Sequence, residues 1–341
     1  MLMYFSCLSL VNIFSFHYNI CDSALKIESW MDVKETMSRY LVKRIAMMIV
    51  TLFMIALLTF ILMHVVPGGP FTQEKQVPQA VLDALNEKYH LNDPLWKQFL
   101  DYMKGLLKFE LGPSFKYQGK TVNDFISNGL PYSATLGGIT LVFVLLASIP
   151  MGIVAALKNG KWQDMLLMAV ATLGVTIPSF VIGTGLMYIF SYQLGWTPTY
   201  GVDKWQGYIL PCIALGGYSI SFLARLMRSS LLEVMGQDYI RTARAKGISE
   251  SRVIVKHALR NALIPVITVL GPTVANLLTG SFVIEKIYAI PGMGSYFVNS
   301  VTQRDYTTIM GMTIFYAAFL IAMIFIVDIF YCLIDPRIKY E

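Results

Sequence analysis

The apolar positions of this chain gather into six long runs without charged residues, separated by polar segments. Each run holds 17 to 26 residues, and the first run contains one histidine, His64. At about 1.5 Å rise per residue, helices of this length cross a hydrocarbon core of roughly 30 Å. The pattern therefore predicts an all-α integral membrane protein with six transmembrane helices. The predicted runs are residues 45–66, 134–157, 165–190, 208–224, 261–284 and 306–327.

Composition and charge add an orientation to this pattern. Hydrophobic residues make up 55% of the chain and charged residues 14%, which is more apolar than a soluble domain of 341 residues. Lys and Arg residues concentrate in alternate loops, so the positive-inside rule predicts that both ends of the six-helix unit are cytoplasmic. The net charge of +6 follows from this topology and does not point to nucleic acid.

The predicted organisation begins with residues 1–36, which are either a dispensable extension or an additional membrane-associated helix. Their apolar stretch lacks the basic flank of a secretory signal. The long loop between the first two spans has apolar residues at helical spacing, which predicts short external helices. These helices either cover the pore mouth or form a docking surface for a partner. The remaining parts are the first transmembrane helix (37–66), the extracytoplasmic loop (67–132), the five-helix transmembrane domain (133–333) and a cytoplasmic tail (334–341).

Residues that commonly build catalytic or metal sites are scattered along the chain. The four cysteines have no CxxC spacing, and the four histidines form no HExxH motif. The spans contain neither a Ser/His/Asp cluster nor paired acids. We therefore expect a chain that is not an enzyme and that binds no metal or cofactor itself.

The polar segment DYIRTARAKGISESRVIVKHALRNALIPV is unusually basic, with six Lys or Arg residues between Asp238 and Arg260. Gly247 is a natural helix stop, and Ser249 with Glu250 a natural start, so the segment predicts helix, turn, helix. Alanines keep the first helix slim, which suits insertion into a cleft on a cytosolic partner, although a surface lying on anionic lipid is equally compatible. In the second helix, the predicted apolar stripe is Val255, Ala258, Leu259, Ala262 and Leu263.

Several motifs resemble the binding-protein-dependent ABC importer permeases of the oligopeptide, dipeptide and nickel family. The basic segment has Arg241-Thr242-Ala243, then Gly247 and later Ile264-Pro265, which is similar to the family's EAA loop, although Arg241 and Thr242 depart from its first two letters. The resemblance covers about residues 38–340. The motif LGPSFKYQGKTVNDF favours the oligopeptide branch of the family. The other matching motifs are LGPSFKYQGKTVNDF, IPSF, GSFVIEKIYAIPGMG, RDY and IDPRIKY.

The resemblance implies the type I ABC importer fold, with a coupling helix between helices 4 and 5 that docks on an ATPase subunit. It implies a multi-pass plasma-membrane permease for oligopeptides, with dipeptide or nickel as alternatives. The implied partners are a second permease subunit, two ATP-binding subunits that use ATP and Mg, an extracytoplasmic peptide-binding protein and membrane lipid. The candidate coupling residues are Asp238, Tyr239, Arg241, Thr242, Ala243, Ala245, Lys246, Gly247, His257 and Pro265.

Two further features of the spans carry predictions. The segment EKIYAIPGMGSYF contains helix breakers between the last two spans, so it is either part of an outer gate or a simple surface loop. Asp328 is an anchor or a proton relay, and as a relay it would support a rival function, a proton-coupled secondary transporter. The candidate gate and path residues are Pro178, Glu285, Tyr288, Pro291, Gly292 and Gly294.

Overall fold

The computed structural model describes residues 42–65, 79–278 and 280–334, without the side chains of residues 79–82, 85 and 327–334. The described chain forms two contact units, residues 42–54 and Ile55–Ile334. The predictions for residues 1–36 and for the tail 335–341 fall outside the described residues, as does the side chain of Asp328.

The described residues are mainly helical, and no strand occurs among them, as predicted for an all-α fold. The helices are α1 (Val42–Val65), α2 (Gln79–Lys88), α3 (Leu95–Leu107), α4 (Val122–Leu157), α5 (Trp162–Thr176), α6 (Ser179–Leu186, continued by a π-helical segment Met187–Gln193), α7 (Ile209–Met235), α8 (Asp238–Ala245), α9 (Glu250–Arg252, continued by a π-helical segment Val253–Ala258), α10 (Leu259–Ala262), α11 (Ile264–Leu278), α12 (Phe282–Ile287), α13 (Met293–Gln303) and α14 (Tyr306–Ile334).

Five helices of the described chain are long and apolar enough to cross a membrane, and a bent pair makes a sixth. The second span begins at Val122, inside the predicted loop, because Thr121 and Asp124 form a capping box. The Asp124 carboxylate accepts the Thr121 backbone N–H at 2.8 Å, and the Thr121 hydroxyl accepts the Asp124 N–H at 3.3 Å. The sequence TVND carries this capping signal.

The third predicted run is not one continuous helix. It is split into α5 and the α6 segment that ends at Gln193, which meet at 104°. Pro178 causes the break, because it lacks an N–H and disfavours helical backbone in the residue before it. Ile177 is accordingly extended, with φ −90° and ψ 125°.

Helices α4 and α7 pack closely along the centre of the larger unit. A Cβ atom on Gly152 of α4 would lie only 2.7 Å from the Ala224 carbonyl oxygen, so glycine permits this approach. One apolar cluster, here called the inner cluster, joins the last part of α7 to the basic segment. Its fully buried members include Leu223, Met227, Leu231, Ile240, Val253, Ala258 and Ala262.

The loop between α3 and α4 is fastened to the start of α14 by the buried carboxylate of Asp305. Asp305 accepts hydrogen bonds from the Phe115 backbone N–H at 3.1 Å, from the Thr308 hydroxyl at 2.8 Å and from the Ser114 hydroxyl. A carboxylate that is buried away from water needs hydrogen-bond donors of this kind. The contact joins two motifs, GPSF and RDY, that lie far apart in the chain.

Candidate coupling segment and outer gate

The basic segment forms the predicted helix, turn and helix. Helix α8 ends at Ala245, and Gly247 adopts a left-handed backbone with φ +72°. A Cβ atom on Gly247 would meet nothing within 4 Å, so glycine serves the backbone conformation here and not a close contact. The next helix starts at Glu250, directly after Ser249.

Helix α8 rests on the inner cluster through two side chains. Ile240 is fully buried, and Ala243 is 7% exposed. Ala243 therefore faces this chain's own core, whereas Ala245 is exposed. The role of both alanines in docking stays a prediction. A polar contact adds to the seating, because Asn261 Nδ2 donates to Tyr239 Oη at 2.7 Å.

The outward face of α8 carries exposed polar and charged groups. Arg244 spans the turn and donates two hydrogen bonds to Glu250, at 2.7 and 3.1 Å. This pairing lowers the pKa of the Glu250 carboxyl and raises that of the Arg244 guanidinium. Arg241 Nη1 lies 3.5 Å from Asp238 Oδ1. Thr242 and Lys246 are also exposed.

The second helix differs in register from its prediction. A π-helical segment, Val253–Ala258, widens the turn and rotates the residues in it. Val253 is consequently buried, whereas Val255, predicted in the stripe, is 66% exposed. His257 is half-buried. Pro265 lies in the first turn of α11, where proline is tolerated because the first amides have no partner within the helix.

An ion pair between the buried Asp164, in the first turn of α5, and the half-buried Arg228 of α7 connects these two helices, and the sequence analysis missed it. Arg228 donates to both carboxylate oxygens of Asp164 at 2.7 Å and to Asn159 at 2.9 Å. The Gly160 N–H donates to the same carboxylate at 3.0 Å. Two parallel bonds of this kind fix geometry as well as charge. The charged residues lay at the ends of apolar runs, but nothing local indicated that they pair.

The candidate gate segment wraps around the carboxylate of Glu285, which is fully buried. The Gly294 N–H donates to Glu285 Oε2 at 2.8 Å. Cβ atoms on Gly280, Gly292 and Gly294 would lie 2.1, 2.3 and 2.8 Å from carboxylate oxygens of Glu285. A side chain at any of these positions would therefore force the Glu285 carboxylate to shift.

Other contacts tie the gate segment to neighbouring helices. The Met293 N–H donates to Ser133 Oγ of α4 at 2.9 Å, and Tyr288 Oη donates to the Gly183 carbonyl of α6 at 2.8 Å. Tyr288 is buried, whereas Pro291 is exposed. The segment is thus mostly packed within the chain, and its role in gating stays a prediction. Pro178 lies at the start of the same helix as Gly183.

Helix α7 joins the two candidate sites. Leu210 and Ala214, near its first turns, pack in an apolar cluster with Tyr288, whereas Leu231 packs with Ile240 of α8. At about 1.5 Å per residue, Leu210 and Leu231 are roughly 30 Å apart, which is the thickness of a hydrocarbon core. The candidate coupling segment and gate therefore lie at opposite ends of one membrane-spanning helix.

Long apolar helices, with an exposed basic helix at one end of a span and a packed segment at the other, define a protein of the membrane-spanning class. Residues 148–340 match the family described as binding-protein-dependent transport system inner membrane component, and residues 37–137 match its N-terminal part. The chain belongs to this family of multi-pass membrane components of binding-protein-dependent importers.

Individual relatives support this membership. The dipeptide transport system permease protein DppB of Bacillus subtilis is 48% identical over 303 residues, which cover 89% of this chain and 98% of the relative. The oligopeptide transport system permease protein OppB of Haemophilus influenzae is 44% identical over 310 residues, or 89% and 100% of the two chains. A chain of the inward-facing MetNI methionine ABC transporter shares the fold, with a TM-score of 0.53 and 15% identity over 62% of this chain and 96% of that one.

Proposed function

We propose that this chain is a permease subunit of an ATP-driven oligopeptide importer. The observation that carries the proposal is the seating of an exposed basic helix, α8, on the end of a span whose other end packs against the gate segment. A partner that moves α8 would act directly on α7, because Ile240 and Leu231 share one packed cluster.

In this proposal the exposed face of α8 docks on an ATPase subunit. Arg241, Lys246 and the Asp238 carboxylate supply charges for complementary pairing, and the left-handed turn at Gly247 returns the chain to the membrane helices. ATP and Mg are bound by two such partner subunits and not by this chain. A second permease subunit completes the translocation path, and a peptide-binding protein delivers substrate from outside.

Oligopeptides are the proposed substrate, with dipeptides as the second candidate. The motifs GPSFKY and TVND favour the oligopeptide branch. Both also make structural contacts in this chain, since Ser114 of GPSFKY bonds Asp305 and TVND forms the capping box of α4. The relatives named above divide between the two substrates, since one is a dipeptide permease and the other an oligopeptide permease.

Growth of a deletion strain tests the substrate. A strain that requires one amino acid and lacks this gene should fail to grow when that amino acid comes only in peptides of roughly four or five residues, and should grow again with the intact gene. Nickel-dependent enzyme activity serves as the control and should not change. Lost growth on dipeptides alone would favour the second candidate, and lost nickel accumulation with unchanged growth on peptides would exclude both.

The energy source separates the importer from a proton-coupled transporter that uses Asp328. Uptake should persist when an ionophore collapses the proton gradient while cellular ATP is maintained, and ATPase subunits should copurify with the tagged chain.

The membrane topology of the chain is tested in the same cells. A cysteine replacing Lys204 should react with an impermeant external thiol reagent, whereas one replacing Glu250 should not.

A further inference from the structure

The break between α5 and α6 places irregular backbone inside a membrane span. Each half of the bent pair has 15 residues and is about 22 Å long, so neither crosses a hydrocarbon core of roughly 30 Å alone. Ile177 and Pro178 between them are extended. The Leu173 carbonyl accepts the Ile177 N–H, and the Pro178 carbonyl accepts the amides of Val181 and Ile182. No backbone hydrogen bond joins the carbonyls of Val175 and Thr176, or the amides of Ser179 and Phe180, to another described residue.

Such groups are costly against lipid. Non-helical backbone at membrane depth is tolerated where protein covers it or where it borders a water-filled cavity. The part of the chain that the structure describes leaves the break partly open, because the flanking side chains of Val175, Ile177, Phe180 and Val181 are 36 to 49% exposed. Water, a substrate or another chain must therefore face it.

The break is held in a fixed position between two anchored helices. On one side, a Cβ atom on Gly174 would lie 2.7 Å from the Gly217 carbonyl oxygen, which shows how closely α5 approaches α7. On the other side, Gly183 of α6 accepts the hydrogen bond from Tyr288 Oη and lies beside Ala214. The break thus adjoins the candidate gate, and its backbone groups are presented on rigid supports.

From this geometry we propose that the break lines the translocation path and that its backbone groups hydrogen-bond the main chain of the peptide in transit. This inference rests on the proposed function. Free carbonyls and amides bordered by Ile177, Phe180 and Val181 offer hydrogen bonds and apolar contact but no charge. Such a surface recognises the amide groups common to all peptides without reading their side chains.

Thiol labelling in membrane vesicles tests the proposal in the complete transporter. Phe180→Cys, with Val181→Cys as a second position, is treated with a charged methanethiosulfonate in right-side-out and inverted vesicles, after uptake shows that the variant is assembled. Val142→Cys is the matched control, because Val142 is 57% exposed but lies on the continuous helix α4, where lipid or protein can cover it. We expect labelling at the break and none at Val142→Cys.

Protection by substrate tests the binding step. Two transported pentapeptides of unrelated sequence should each slow labelling at the break at least about tenfold. Absence of labelling at both break positions would overturn the proposal, because another chain or lipid would then cover the break. Labelling that ignores both peptides, or responds to only one, would overturn main-chain recognition. Failure of the unaltered protein to take up any peptide would refute the proposed function as well, whereas normal uptake with unlabelled cysteines would refute this inference alone.

Discussion

The seating of α8 on the inner cluster rests chiefly on one side chain, Ile240, and its truncation should loosen the helix. Ile240 is fully buried, and replacing such a side chain with alanine typically costs about 2–5 kcal/mol. The remaining apolar anchor on α8 is the small side chain of Ala243. Taking about 3 kcal/mol, and about 1.4 kcal/mol per factor of ten, the unseated population of α8 should rise on the order of a hundredfold.

A reporter cysteine measures this population. In a background without the native cysteines, Ala243→Cys should react slowly with a thiol reagent because the site is only 7% exposed, and Ile240→Ala should accelerate the reaction by a similar factor. Ala245→Cys is the matched control, since Ala245 is exposed and should react rapidly with or without Ile240→Ala.

The transport assay completes the experiment. Ile240→Ala should insert into the membrane normally but lose most peptide uptake, because motion of α8 would no longer reach α7. The reasoning would be refuted if Ala243→Cys reacted as fast as Ala245→Cys in the otherwise unaltered chain, or if Ile240→Ala left both labelling and uptake unchanged.

Three further predictions concern the same segment. Gly247→Leu should abolish uptake without preventing insertion, because a left-handed backbone costs an ordinary residue about 1–2 kcal/mol; normal uptake with retained ATPase subunits would contradict the docking role. Val253→Ala should lower the thermal stability of the purified protein while Val255→Ala should not, and equal effects would contradict the π-helical register. Because Arg244 lowers the pKa of Glu250, their pairing should stabilise the turn at neutral pH and weaken as the pH falls through that lowered pKa; Glu250→Gln should remove this pH dependence from the proteolysis rate of the segment.

Local features explain where sequence interpretation succeeded. The candidate coupling segment has a left-handed glycine at residue 247 and a helix start at Glu250, and both depend on the nearest residues alone. The same reasoning failed for Val255, because a π-helical segment changes the helical period that any stripe assumes.

The candidate gate shows the same division. Glycines and a proline in the gate segment predicted non-helical backbone, but they did not predict that Gly280, Gly292 and Gly294 close around the Glu285 carboxylate. The break at Pro178 was visible as a proline, yet its angle of 104° depends on how α5 and α6 each pack against α7.

The sequence by itself determined the all-α membrane class, most span positions and the helix-turn-helix segment, because transfer from water to hydrocarbon and local backbone preference act on contiguous residues. Only the tertiary structure decided which distant groups meet. Asp164 pairs with Arg228 across 64 positions, and Ser114 reaches Asp305 across 191. Such contacts depend on the packing of whole helices, and each buried charge takes its hydrogen-bond partners from whichever segment that packing brings beside it.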